Sequence, residues 1–403
     1  MDIVDRFIEY VKIPTMSDPC SSSVPSSSKQ LVLAKKLYEE LKDLGLDEVR
    51  LDDSGIVYGK LRANTDLKKE KIGLIAHMDT SPDMSDIDVN PRIIKDYDGE
   101  DIVLNDDLNI IMKTSDFPCL IKDKGADLIV TDGKTLLGAD DKAGVAIIMD
   151  VLTSLISNPN IKHGDISVAF TPDEEVGRGT ENFDVKYFDC DYAYTVDGED
   201  VSDVEYENFN AASASVEIKG LSIHPGSAKD KMINSMLVAM EFQSLLPTFD
   251  NPMYTEGYEG FNHLTNINGD CEFTKMEYII RNHDKKKLEK QKNDFENVAF
   301  FLNKKYGENT VKLTILDTYQ NMKEYIIPKM YIVDNVKDKM KKLGVEPSST
   351  AIRGGTDGAM LTYMGLPCPN LGTGGRNCHG KFEYLNINEM KLMSKVLLSV
   401  VSI

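Results

Sequence analysis

His77 and Asp79, two residues apart in Leu-Ile-Ala-His-Met-Asp-Thr, follow directly on the apolar run Ile72 to Ala76. An imidazole binds a metal ion through one ring nitrogen while a nearby carboxylate orients the ring through the other. A lone His-x-Asp is more often structural, so the pair means little by itself. Further on, Gly138-Ala139-Asp140-Asp141-Lys142-Ala143-Gly144 joins a strand-like run to the start of a helix. Either aspartate alone can cap that helix. Two adjacent aspartates, set among small residues that let the backbone come close to something bulky, are less easily explained as caps. Thr171-Pro172-Asp173-Glu174-Glu175-Val176-Gly177 places three consecutive acids at another strand end. Their mutual repulsion requires either full solvation or a compensating cation. Of two neighbouring glutamates, one can bind metal while the other moves protons. Val196-Asp197-Gly198 and Gly374-Gly375-Arg376-Asn377-Cys378-His379-Gly380 add an aspartate and a second histidine.

Each motif is weak evidence alone. Together they set His, Asp, Glu, Asp and His at successive strand ends or loops. Mixed imidazole and carboxylate ligands suit zinc, with manganese or cobalt as alternatives. A carboxylate shared by two ions about 3.5 Å apart makes a binuclear hydrolytic site.

Such a site needs elements that deliver its residues to one place. In α/β sheets, ligands bind beyond the carboxyl ends of the strands. Ile72 to Ala76 reads as a buried strand, as do the alternating Ile166, Val168, Phe170 and the run Tyr192 to Val196. Apolar residues at 34, 37, 41 and 44, closed by Gly45, mark one helix, and Val145, Ile148, Leu152 and Leu155 mark another. The serine-rich stretch from Ser21 to Ser28 reads as a loop before the first of these. The acidic segment from Lys95 to Thr131 reads as an irregular surface excursion. This alternation predicts an α/β domain. The pattern changes near Asn208. Strand-like Ala214–Ile218, helical Met232–Leu246, strand-like Met276–Ile280, helical Lys286–Lys305 and strand-like Val311–Leu316 suit a small ferredoxin-like α+β layer, with room for one more strand before Met276. The expectation is a discontinuous catalytic domain, 1–208 and 319–403, interrupted by an inserted domain, 209–318.

The chain has 403 residues, 41% of them hydrophobic, enough for two cores. A formal net charge of −20 argues against nucleic-acid binding. No apolar run approaches the roughly 18 residues of a membrane helix. The N-terminus lacks a signal-peptide core, and six cysteines without a CxxC pair fit reduced thiols, so a cytoplasmic location is expected.

Ala-His-Met-Asp-Thr, Leu-Gly-Ala-Asp-Asp-Lys-Ala-Gly, Thr-Pro-Asp-Glu-Glu-Val-Gly, Val-Asp-Gly-Glu, the His224-Pro-Gly element, Ile-Arg-Gly-Gly-Thr-Asp-Gly-Ala and the glycine-rich stretch ending at His379 resemble, in order and spacing, the M20 metallopeptidase family. They are most similar to its tripeptidase branch, and the resemblance covers nearly the whole chain. It implies a zinc-peptidase-like catalytic domain with an inserted lid and dimerisation domain, two zinc ions per subunit, and release of the N-terminal residue from tripeptides. His77, Asp140 and Asp197 would hold one ion and Asp140, Glu175 and His379 the other. Asp79 would steer His77. Glu174 would be the general base, acting on a metal-bridging water. His224 would donate to the oxyanion from a partner subunit, making a homodimer. Asn234, Arg281 and Arg353 would contact the substrate, the arginines gripping its terminal carboxylate. The resemblance also implies a cis peptide between Asp140 and Asp141. The sequence departs from this branch at Arg376, usually histidine, and at Cys378, usually aromatic. Sibling activities on the same fold are a dipeptidase or an N-acyl amino acid hydrolase. A non-catalytic metal-binding protein would have lost the base or a ligand, and here all are present.

Overall fold

The apolar run Ile72–His77 forms the middle strand of a seven-stranded sheet. Val-, Ile- and Leu-rich runs without polar alternation belong in strands buried on both faces, and this one is buried from Gly73 onwards. Ile166–Thr171 and Tyr192–Gly198 pair with it in parallel, one on each side. Asn370–Gly372 adds a fourth parallel strand beside Tyr192–Gly198. Antiparallel strands close both edges, Val57–Leu61 and Asp47–Leu51 on one and Val204–Glu205 on the other. The computed structural model describes residues 1–67 and 69–403.

The helix Ala139–Ser157 lies on this sheet and is buried along almost its whole length. From Ala143 to Leu155 its residues are mostly apolar, with Asp150, Thr153 and Ser154 half-buried, as a helix largely covered by neighbouring layers requires. It packs on the middle strand and on Tyr192–Gly198, and is covered by the helices Ile3–Val11 and Ile387–Val401. Gly144 makes this close docking possible. A Cβ there would lie 1.8 Å from the carbonyl oxygen of Val196. The helix start is thereby pressed against the strand that carries Asp197.

The segment from Lys95 to Thr131 differs from the expected irregular excursion. Ile102–Asn105 and Ile110–Met112 form a hairpin. Leu128–Val130 joins a four-stranded sheet with Arg92–Ile94, Tyr384–Asn386 and Gly375–Arg376. Tyr97, Ile102, Leu104, Met112, Leu120, Leu128, Val130 and Tyr384 form its own core cluster. Strands of three or four residues are too short to show a readable period, which is why the sequence hid them.

The chain divides into two units. One comprises Met1–Tyr206, Glu324–Thr350 and Thr356–Ile403, the other Glu207–Lys323 and Ala351–Gly355. The second unit has the strands Asn210–Lys219, Phe261–Gly269, Phe273–Asn282 and Val311–Tyr319 and the helices Ser235–Leu245 and Lys285–Tyr306, in βαββαβ order. Its sheet is antiparallel throughout, with the last strand beside the first and the third on the first's other side. That is a ferredoxin-like arrangement. The strand before Met276 for which the sequence left room is Phe261–Gly269. Ala214, Val216, Ile218, Phe242, Met276, Tyr278, Phe295 and Leu302 lie in its core. The five-residue loop Ala351–Gly355, counted with the catalytic domain on sequence grounds, belongs to this second unit.

Candidate metal centre

The parallel strands of the large sheet lead at their carboxyl ends, directly or through the following loop, to acids and histidines. Ile72–His77 ends in His77 itself, and Ile166–Thr171 runs into Asp173, Glu174 and Glu175. Tyr192–Gly198 carries Asp197, and the chain beyond Asn370–Gly372 leads to His379. The non-helical first residues of the segment Ala139–Ser157 add Asp140 and Asp141, joined by a cis peptide. All these residues belong to the first unit.

Asp140 sits between the two histidines. Its Oδ1 is 2.8 Å from His77 Nε2 and its Oδ2 is 3.3 Å from His379 Nε2. Asp197 Oδ1 is 3.3 Å from His77 Nε2, and Glu175 Oε2 is 3.1 Å from His379 Nε2. One carboxylate thus has an imidazole and a further carboxylate on either side. His77 Nδ1 faces the backbone oxygen of Asp79 at 3.1 Å and its Oδ1 at 3.4 Å. With Nδ1 held by Asp79, Nε2 is the nitrogen turned toward the carboxylates of Asp140 and Asp197.

Asp79 is fully buried and does more than orient His77. Its carboxylate accepts from the backbone N–H of Glu174 at 3.0 Å and of Glu175 at 3.1 Å, and from Ser17 Oγ at 2.6 Å. One side chain therefore fixes both the ring and the backbone of the two glutamates. Asp173, in the left-handed region at φ 58°, holds the same loop from behind. It accepts from the N–H of Ser26 at 2.7 Å and from Gln30 Nε2 at 2.7 Å, and also bonds Ser26 Oγ. The serine-rich stretch thus supports the glutamate loop.

Two further groupings place ligand atoms within 4.8 Å of one another: His77, Asp141 and Asp197, and His77, Asp140 and Glu175. Asp141 is already engaged. Its Oδ2 accepts the N–H of His77 at 3.2 Å and its Oδ1 the N–H of Gly144 at 3.0 Å. It tightens the backbone behind the site, which leaves Asp140 as the carboxylate facing both imidazoles.

The electrostatics call for a cation. Burial raises the Glu175 carboxyl, with the Asp140 charge adding to it, up to about 9. Burial likewise raises Asp197 to about 6 against the favourable charge of His77. Glu174 is pushed well above the usual carboxylate range, by burial first and then by Asp197, Asp357 and Glu175. On the other side, the hydrogen bond to Asp140 lifts His379 to about 9 against the effect of its burial. Burial would lower His77, but Asp197, Asp140 and Asp79 hold it well above its usual value. Glu175 Oε1 is buried with no hydrogen-bond partner among the described residues. A buried carboxylate oxygen left in this way costs about 1–3 kcal/mol. A divalent cation satisfies it and relieves the crowding of acids, so the residues fit the metals expected from the sequence. Glu174 is fixed through its backbone N–H, which donates to Asp79, and its side chain has no hydrogen-bond partner among the described residues.

Sequence reasoning missed three supporting groups. Glu383, on the loop after His379, is 2% exposed. It accepts backbone N–H groups of the Asp140 turn. Asp357 is buried beneath the glutamate loop and accepts from Thr171 Oγ1 at 2.7 Å. Lys142 is buried and donates to the carbonyl of Ile13 at 2.9 Å. Each lies inside or beside a motif that was read, but the pairing of loops distant in sequence is not visible there. Arg376, the departure beside His379, is mostly buried. It donates to the carbonyl of Glu199 at 2.8 Å and pairs with Glu389 at 2.7 Å and Asp200 at 3.2 Å. It ties the chain beyond Asp197 to the last helix.

The remaining four expected site residues lie in the second unit. His224 is exposed, and its Nδ1 accepts from the N–H of Gly226 at 3.2 Å. Asn234 caps the helix Ser235–Leu245. Arg281 donates to the carbonyls of Ala212 and Ile280 at 3.2 and 3.1 Å. Arg353 donates to the carbonyls of Gly257 and Glu259 at 2.6 and 2.9 Å, with its guanidinium over Phe209 and Phe261. Neither arginine has a salt-bridge partner among the described residues.

Imidazoles and carboxylates converging on shared atoms at the ends of parallel strands, with an unbonded glutamate beside them, define a metal-dependent hydrolase. The chain belongs to peptidase family M20/M25/M40, whose model matches residues 130–402. It is 54% identical to Peptidase T of Clostridium perfringens, over 99% of this chain and 98% of that protein. It is 52% identical to Peptidase T of Caldanaerobacter subterraneus subsp. tengcongensis, over 100% and 98%. The solved structure of aminopeptidase PepT from Bacillus cereus has the same fold, with a TM-score of 0.77 at 22% identity, covering 99% of this chain and 97% of that one.

Proposed function

We propose that the chain is a tripeptide aminopeptidase that holds two zinc ions per subunit and acts in the cytoplasm as a homodimer. The observation that carries this reading is the placement of Asp140, with one oxygen toward His77 and the other toward His379. His77, Asp140 and Asp197 would hold one ion, and Asp140, Glu175 and His379 the other. Histidine and carboxylate donors suit zinc, and they accept cobalt or manganese as substitutes. Ions held there would supply Lewis-acid polarisation of the scissile carbonyl and a water activated at neutral pH.

Glu174 takes a proton from the attacking water and passes it to the departing amine as the C–N bond breaks. Asp79 keeps this base and its neighbour Glu175 in register through their backbone N–H groups. Arg281 and Arg353 bind the C-terminal carboxylate of the substrate. Their guanidinium groups are oriented by backbone carbonyls and have no acidic partner among the described residues, which suits a carboxylate supplied from outside. Asn234 contacts the peptide, and His224 of a second copy donates to the oxyanion.

Support for a dimer comes from the helix Ser235–Leu245, which leaves Met236, Leu237, Met240 and Leu245 exposed. Exposed large apolar side chains gathered on one helix suit an interaction surface. Support for the cytoplasm comes from six free thiols and from the absence, among the described residues, of a helix long and apolar enough to cross a membrane.

The test is a product assay on a tripeptide, a dipeptide, an N-acetylated tripeptide and an N-acyl amino acid. Metal-dependent release of the free N-terminal residue from the unblocked tripeptide is the expected result. Cleavage of the dipeptide or the N-acyl substrate instead would move the activity to a sibling of the family.

A further inference from the structure

The Asp140 turn, Leu137 to Asp140, is wrapped around a carboxylate that comes from the far end of the chain. Glu383 Oε2 accepts the N–H of Leu137 at 2.6 Å and of Gly138 at 2.8 Å, and its Oε1 accepts the N–H of Asp140 at 3.1 Å. Gly138 has a φ of 80°, the left-handed conformation that lets successive N–H groups point at one anion. Glu383 stands four residues beyond His379 and is buried. The loop carrying one histidine therefore reaches under the turn carrying the shared aspartate.

We propose that Glu383 is a positioning residue that sets the Asp140 carboxylate between His77 and His379, so that both metal ions depend on it. This rests on the two-metal reading above. Three donors in a fixed arrangement, none of them a side chain, make the glutamate specific. A glutamine must turn its NH2 toward at least one of these N–H groups and loses that bond. An aspartate keeps the charge but is one methylene shorter. Groups that orient ligands in this way typically change metal affinity by about 10–100-fold when removed.

The experiment compares wild type, Glu383→Gln and Glu383→Asp by titrating metal-depleted protein with zinc against a competing chelator. The melting temperature of each metal-depleted protein is measured alongside. The expected result is a tenfold or greater loss of affinity for both ions in Glu383→Gln, a smaller loss in Glu383→Asp, and a modest lowering of the metal-depleted melting temperature of similar size in both variants. Wild-type affinity for both ions in Glu383→Gln overturns the proposal. So does a loss of equal size in both variants accompanied by a lowered metal-depleted melting temperature, because that pattern reports general destabilisation. Wild-type protein that takes up fewer than two ions instead refutes the underlying two-metal reading.

Discussion

At the scale of single residues the site is a set of charges that do not balance without metal. Glu175 is raised to about 9 and Asp197 to about 6, and His379 is raised to about 9. For all three the folded value lies above the unfolded one. Their contribution to stability is therefore complete below the unfolded values and lost as pH rises through the folded ones. Asp140 is shifted the other way by its two histidine partners, so its contribution is lost only in strong acid. Metal-depleted protein should lose stability between about pH 5 and 9. Metal-loaded protein should lose much less, because the ions replace the displaced protons. Melting curves across that range, with and without chelator, check both statements. Glu174→Gln removes the base while leaving the ligands in place. A fall in kcat of about 10²–10⁴-fold is expected, with two ions still present by elemental analysis.

At the scale of elements, the site depends on loops being held as firmly as the strands that launch them. Asp173 binds the glutamate loop to Ser26 and Gln30 through buried hydrogen bonds. Asp173→Ala leaves these donors unpaired, at about 1–3 kcal/mol each. A lowered melting temperature and a reduced kcat are expected together, from thermal denaturation and steady-state kinetics. The strands and the long buried helix were legible because apolar runs and helical spacing are strong over many residues. His77, Asp140, Glu174, Glu175, Asp197 and His379 stood out because they follow such runs. The structure places them around one point. The small sheet between Lys95 and Thr131 was not legible, since its strands are too short to show a period. Nor was the part played by Glu383 or Arg376, since a hydrogen bond between residues 245 positions apart leaves no local mark.

At the scale of the whole molecule, the second unit is a ferredoxin-like layer of its own, and it takes in Arg353 through the loop Ala351–Gly355. Leu237 and Met240 on its first helix are each more than 60% exposed. If that stripe is the face of a dimer, replacing both residues by glutamate gives a monomer in sedimentation experiments. The monomer keeps its metal and loses peptide hydrolysis, because His224 no longer reaches a partner. His224→Ala, by contrast, should stay dimeric and keep metal while losing activity. Mixing it with the base variant Glu174→Gln should, if the dimer forms, restore part of the rate through hybrid dimers.

The central claim is that Asp140 shares two ions and that the pair drives tripeptide hydrolysis. It is tested most directly by titrating metal-depleted protein with zinc while following release of the N-terminal residue from an unblocked tripeptide. A rate that climbs to a plateau at two ions per chain, with no cleavage of the N-acetylated peptide, is the predicted result. A plateau at one ion, or two ions bound without hydrolysis, would contradict it.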